Sequence, residues 1–225
     1  MELVMRLLIG NKNYSSWSMR PWLVLKHFGI GFEEEMLLLN GENWKRKILD
    51  RTPFGFVPVL EDGCLVIAET LAIIEYLAEK FPDKGIWPGN IEDRAMARSA
   101  AAKMHAGFGA LRNAAPMNLR ASYPGRISRT EISEDMETLE KLLCCHLENS
   151  SGDFLFGGFC AADAMFAPVA ARIKTYEISV SRQLKDYFDA IYDLKAFDEW
   201  QREALQESWI VEEDEIDFVQ AKTER

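Results

Sequence analysis

The stretch Asn13-Tyr14-Ser15-Ser16-Trp17-Ser18-Met19-Arg20-Pro21-Trp22 decides how this chain is read. Before it, Met5-Arg6-Leu7-Leu8-Ile9-Gly10 is a short apolar run with the character of a buried strand; after it, Trp22, Leu23, Leu25, Lys26 and Phe28 carry an apolar stripe that Gly29 ends. The hydroxyls therefore fall at a helix N-terminus, where unpaired N–H groups and the positive end of the helix dipole converge. Two readings are open there. A serine can cap the helix, or its hydroxyl can donate to a bound thiolate, carboxylate or phosphate.

Working outward, residues 32–39 read as a second strand, which makes a βαβ unit and requires the two strands to be parallel. A short helix follows around residues 44–49. Then Val57-Pro58-Val59-Leu60 and Cys64-Leu65-Val66-Ile67 flank Asp62-Gly63 as a hairpin. Pro58 cannot donate to a ladder and marks an edge or irregular position; a trans bond is the ordinary expectation, and a cis bond would turn the Val57 N–H and C=O outward for an extended ligand. Ala68-Glu69-Thr70 opens an apolar helix over residues 71–80. Glu69 and Thr70 are either first-turn cap and acid, or the pair that meets the ammonium and carboxylate of an α-amino acid.

The bulk composition sets limits. With 225 residues, 48% hydrophobic and 28% charged, the chain supports a well-packed core and is predicted to form two domains. The 26 basic against 36 acidic residues give a net charge of −10, which disfavours nucleic acid and anionic membranes as partners. There is no apolar run of membrane-spanning length and no cationic, apolar leader in residues 1–6, so a cytoplasmic location is expected. The four cysteines, Cys64, Cys144, Cys145 and Cys160, contain no C-x-x-C pair and are expected to be reduced. Three histidines, His27, His105 and His146, lack metal-ligand spacing, and no metal is expected.

Beyond Lys80 the pattern changes. Residues 82–90 are rich in proline, glycine and polar side chains, and everything after them reads as helical: 92–119, 128–146, 161–174 with an interruption at Pro168, 183–190 and 196–206. Residues 211–217 form an acidic run with the character of a solvated end.

The order of these pieces resembles the cytosolic glutathione transferases. The resemblance rests on Ser15-Ser16-Trp17-Ser18-Met19-Arg20, on Val57-Pro58, on Glu69-Thr70-Leu71-Ala72-Ile73-Ile74-Glu75-Tyr76-Leu77, and on Phe159-Cys160-Ala161-Ala162-Asp163-Ala164. The last is similar to the family's buried capping box with Cys160 in the place of serine or threonine. The serine pattern is most similar to the zeta class, which includes maleylacetoacetate isomerases. That class carries a cysteine where this chain has Trp17.

The resemblance implies an α/β plus all-α architecture: a thioredoxin-like glutathione-binding domain over residues 1–83, a linker over 84–91 and an all-helical domain over 92–225. It implies glutathione as cosubstrate, with Ser15 or Ser16 stabilising the thiolate. It places Asn43, Lys45, Val57, Pro58, Glu69 and Thr70 against the tripeptide, and Tyr14, Trp17, His105, Phe108 and Arg112 around a small electrophile. Leu111, Met117 and Asn118 are further candidates for that pocket, and Trp44 for the glycyl end. A homodimer is also implied. The alternatives are a zeta-type isomerase and a non-catalytic binding protein on the same scaffold; the lack of any cysteine before residue 64 disfavours a thioredoxin-like oxidoreductase.

Overall fold

The structure, a computed structural model, describes residues 4–39 and 41–216. Strand β1 (Arg6–Ile9) leads into α1 (Ser16–His27), β2 (Glu33–Met36), α2 (Trp44–Leu49), β3 (Val59–Asp62), β4 (Leu65–Ala68) and α3 (Thr70–Lys80). The sheet order is β2-β1-β3-β4. β1 and β2 are parallel, pairing Arg6 with Glu33 and Ile9 with Met36, while β3 is antiparallel to both β1 and β4. This mixed sheet is thioredoxin-like, as the βαβ-then-hairpin order requires.

Strand side chains alternate, so the sheet divides its apolar residues between two cores. Leu7, Ile9 and Leu60 face α1 and α3 and join the large core that continues into the C-terminal helices. Leu8 and Val59 face the other way, with Leu37, Ile48 and Val57, against α2. Helix α1 stops where Gly29 takes a φ of +61°, a conformation that favours glycine.

The remaining elements are α4 (Ile91–Ala106), α5 (Gly109–Ala114), α6 (Ser133–Leu147), α7 (Ala161–Tyr176), α8 (Arg182–Tyr192) and α9 (Lys195–Gln206). Helix α7 is buried along most of its length and packs against α1, α4 and α8, so it is the axis that joins sheet and helices. Its capping box forms around Asp163, which accepts from the Cys160 N–H (2.8 Å), the Leu155 N–H (3.1 Å) and the Tyr187 hydroxyl (3.1 Å). Burial lifts the Asp163 carboxyl to about 6. The four cysteines are free thiols.

Several sequence expectations are corrected. The single helix over residues 92–119 is two helices, α4 and α5, broken at Gly107 and Phe108. A Cβ at Gly107 would lie 2.8 Å from the Lys103 carbonyl oxygen, and Phe108 is left-handed at φ +58°. The helix expected from residue 128 begins at Ser133, and α7 runs through Pro168 without a break. The Val57–Pro58 bond is cis, where trans was the ordinary expectation.

The acidic run is not a solvated end. Val211 and Ile216 are buried, and Glu215 accepts from the hydroxyls of Tyr14 (2.5 Å) and Tyr123 (2.8 Å) and from Asn118 (3.0 Å). Asp217 lies outside the described residues.

Candidate functional site

Two cavities meet at the start of α1. One, of about 310 Å³, is lined by Tyr14, Ser15, Ser16, Leu39, Trp44, Asn113, Pro116, Met117, Arg172 and Asp214; the other, of about 280 Å³, by Pro58, Glu69, Thr70 and His105. Trp17, Phe56, Val57 and Arg112 form the wall they share.

The serine pair is placed by a loop with little freedom. Among residues 11–13, the Lys12 and Asn13 N–H groups donate to Glu207 (2.6 and 3.1 Å), and Asn13 also bonds Asn118 and the Arg120 N–H. The Lys12 ammonium is buried over the rings of Trp22 and Trp200, bonded to Glu34 (2.8 Å) and Glu203. Ser15 stands at the N-cap position of α1 but makes no capping bond; its hydroxyl donates to Ser18 Oγ (2.7 Å), which also accepts from the Gly10 N–H (3.2 Å). Among the described residues the Ser16 hydroxyl has no partner, and the N–H groups of Trp17 and Ser18 have no acceptor. The helix start thus brings the unpartnered Ser16 hydroxyl and the open Trp17 N–H to the wall of one cavity, with the Ser15 hydroxyl beside them donating to Ser18, which suits an anion.

Trp17 is held between cations, with the Arg20 guanidinium 4.1 Å and the Arg112 guanidinium 4.8 Å from its ring centre. Arg20 is fully buried, donating to the carbonyls of Met165 (2.9 Å) and Ser16 (2.9 Å). Desolvation, with the neighbouring Arg172 and Arg112, holds its pKa well below the usual guanidinium range. Arg172, on α7, is 4% exposed and donates to the carbonyls of Ala115 and Pro168; burial brings it down to about 10. In a chain of net charge −10, two guanidiniums, Arg112 and Arg172, line this cleft, and Arg20 is buried against Trp17.

The second cavity is organised by Pro21. A proline inside α1 supplies no N–H for the Trp17 carbonyl one turn earlier, and the Thr70 hydroxyl takes that place at 3.0 Å. Thr70 is thereby tied across from α3 to α1. Glu69, just before α3, has a φ of +81°, a conformation that costs a non-glycine residue on the order of 1–3 kcal/mol and that marks a site where backbone direction matters. Its carboxylate lies 3.4 Å from His105 Nε2, and His105 Nδ1 is buried without a partner.

Of the residues singled out in the sequence, Tyr14, Ser15, Ser16, Trp17, Val57, Arg112, Trp44 and Met117 line the first cavity, and Pro58, Glu69, Thr70 and His105 the second. Asn43 and Lys45 line neither and stand exposed; Phe108 and Leu111 are in the core, Phe108 against Phe166, and Asn118 is committed to Asn13 and Glu215. The Tyr14 hydroxyl is likewise engaged, donating to Glu215 and accepting from Arg120 (2.9 Å), and burial and Glu215 raise its pKa. Arg172 and Asp214 were not foreseen. Arg172 carries a signal, a cation directly after the apolar run Ala164–Ala171 of α7, whereas Asp214 sits among like residues and carries none.

Residues 14–80 match the glutathione S-transferase N-terminal domain family. A glutathione S-transferase of the zeta class from Euphorbia esula is 31% identical over 176 residues, 75% of this chain and 76% of that protein. The chain belongs to the glutathione S-transferase family. A probable maleylacetoacetate isomerase of Caenorhabditis elegans is 30% identical over 74% of this transferase-family chain and 77% of its own. Glutathione S-transferase 1 of Dianthus caryophyllus is 36% identical over a shorter stretch, 58% of this chain and 61% of the carnation protein. Among solved structures, a Burkholderia glutathione transferase homologue with bound glutathione aligns at a TM-score of 0.68 and 22% identity, over 89% of this chain and 97% of that one. No helix among the described residues is long and apolar enough to cross a membrane.

Proposed function

We propose that this chain is a glutathione transferase in which the serine pair at the start of α1 holds the glutathione sulfur as thiolate for attack on an electrophilic small molecule. The observation that carries the reading is the meeting of the two cavities along Val57, with the open start of α1 on one side and Glu69 and Thr70 on the other. In this reading the tripeptide lies extended past Val57 and Pro58. Its γ-glutamyl ammonium meets Glu69 and its γ-glutamyl carboxylate meets the Thr70 end of α3. Its sulfur then reaches Ser15 and Ser16, and the glycyl end extends toward Trp44 and Leu39, since Asn43 and Lys45 line neither cavity.

A thiol with a pKa of about 8.5 is mostly protonated at neutral pH, and each unit of lowering is about 1.4 kcal/mol of preference for the thiolate. A hydroxyl, an open N–H group and the dipole at a helix start supply that order of energy. The thiol proton leaves to solvent, and the sulfur lone pair forms the new carbon–sulfur bond as the electrophile's leaving group departs, or as its double bond takes up a proton. The electrophile occupies the wall of Arg112, Asn113, Pro116, Met117, Arg172 and Asp214. Residues 1–83 in this reading bind glutathione and residues 92–225 the electrophile, with 84–91 as linker. The chain works as a cytoplasmic homodimer, for which sedimentation at micromolar concentration is the direct test.

Ultraviolet titration of the glutathione complex measures the bound thiol. A pKa at least a unit below that of free glutathione is expected; no retention on immobilised glutathione, or a bound thiol that titrates as the free one does, refutes the assignment.

A second reading, glutathione-dependent cis–trans isomerisation of maleylacetoacetate, draws support from the relative named for that activity and from the cationic wall. Trp17 in the place of the zeta-class cysteine stands against it. Maleylacetone isomerisation discriminates: turnover there with none on aryl halides would favour the isomerase.

A further inference from the structure

Arg112 and Arg172 face the electrophile cavity, and neither makes an ion pair among the described residues. Such a wall invites a carboxylate, yet the chain brings one of its own. Residues 211–216 bring Asp214 to the cavity wall and are pinned on both sides of it: Val211 and Ile216 are buried, and Glu215 is held by Tyr14, Asn118 and Tyr123. Arg120 fastens the approach to this strap through the carbonyls of Glu207 and Trp209 (2.7 Å). Asp214 is the one carboxylate in the cavity wall among the described residues, and it interacts electrostatically with Arg172. Burial lifts its carboxyl to about 6, with Arg172 pulling the other way, so at neutral pH it is chiefly charged.

A tethered group acts at an effective concentration on the order of millimolar or higher. A free acid at micromolar concentration therefore meets an Arg172 charge that Asp214 already offsets, and meets a fixed negative charge beside it.

We propose that Asp214 is a specificity-determining residue of the electrophile cavity: it occupies the field of Arg172 in the wall that Arg112 shares, and turns the enzyme away from carboxylate-bearing electrophiles toward neutral ones. This rests on the transferase reading above and adds to it the charge class of the second substrate. The strap acts as a built-in competitor, in the sense that discrimination comes from a repulsive element placed against the wrong partner.

The test compares 4-chloro-3-nitrobenzoate with its methyl ester, two electrophiles that differ in charge at one position. In Asp214→Asn the acid-to-ester ratio of kcat/KM should rise about tenfold. Asp214→Glu, which keeps the charge, should leave the ratio within twofold of the parent, and adding Arg112→Gln to Asp214→Asn should take back most of the gain. An unchanged or lower ratio in Asp214→Asn overturns the inference. So does an equal rise in Asp214→Glu, which would mean that a loosened strap and not a lost charge is responsible.

Equilibrium dialysis of the unreactive 4-nitrobenzoate and its methyl ester reads the same discrimination without turnover. If glutathione is not retained or its bound thiol titrates as the free one does, while Asp214→Asn still shifts the ratio of dissociation constants about tenfold, the transferase reading fails and the role of Asp214 stands.

Discussion

Replacing Ser15 and Ser16 by alanine, singly and together, isolates what the hydroxyls add to the helix start. A hydrogen bond to a charged group contributes about 1.5–3 kcal/mol, which at about 1.4 kcal/mol per unit is one to two pKa units on the bound thiol. The dipole and the open N–H groups of Trp17 and Ser18 survive the substitutions and are worth about 0.3–1 kcal/mol, under one unit. The double variant should therefore bind glutathione with a thiol pKa one to two units higher, still short of the free value. Below that pKa, kcat/KM should fall about 10- to 100-fold at fixed pH. Glutathione KM should move less than about threefold, because in the proposed pose Glu69 and Thr70, which line the other cavity, hold the far end of the ligand.

Ser15→Ala also removes the bond to Ser18, which keeps the Gly10 N–H; the fold should lose on the order of 1 kcal/mol, measurable by denaturant melts. Ultraviolet difference titration supplies the thiol pKa of each variant. A double variant whose bound thiol titrates with the parent's refutes the assignment of the serines, whatever its turnover.

Three further outcomes follow from the geometry. Asp163→Ala leaves the Cys160 N–H, the Leu155 N–H and the Tyr187 hydroxyl without their acceptor inside the protein, and should cost about 3–5 kcal/mol in urea unfolding. Because the folded Asp163 carboxyl titrates at about 6 against an ordinary 3.8, the folded state binds its proton more tightly; this contribution is full below pH 4 and is lost as pH rises through 6, about 3 kcal/mol in all. Asp163→Asn should flatten that limb of the stability profile, and a limb of parental slope would disprove its origin. Glu69→Gly should relieve the positive φ and raise unfolding stability by about 1 kcal/mol while weakening glutathione binding at least tenfold, a split that equilibrium dialysis and a melt measure on the same sample.

The sequence made the first eighty residues legible because each element there announces itself locally: an apolar run, a stripe ended by Gly29, Asp62-Gly63 between two strands, and a short helix that falls at Trp44–Leu49 as expected. The break between α4 and α5 was hidden, since small residues continue a helical pattern across it. What interrupts the helix is the extended backbone at Gly107 (φ −115°, ψ −164°) and the left-handed turn at Phe108, and both are settled in three dimensions. Ser15, Ser16, Glu69 and Thr70 could be found because helix starts are readable. Arg172 and Asp214 could not be paired from sequence: they reach one cavity from α7 and from a strap some forty residues later, and an acidic run looks solvated until Tyr14, Tyr123 and Arg172 are seen facing it.

The loop over residues 11–13 has a last implication. Its N–H groups end on Glu207, its lysine on Glu203 and Glu34, and its Asn13 on Asn118 and Arg120, so the serines are bolted to the helical half and not only to the sheet. The serines and the cavity wall proposed to take the electrophile therefore belong to one framework whose spacing is set when the chain folds. Such an enzyme admits or refuses a reactant by the outline and charge of a ready-made opening, and has no need of a hinge to bring its two halves to bear.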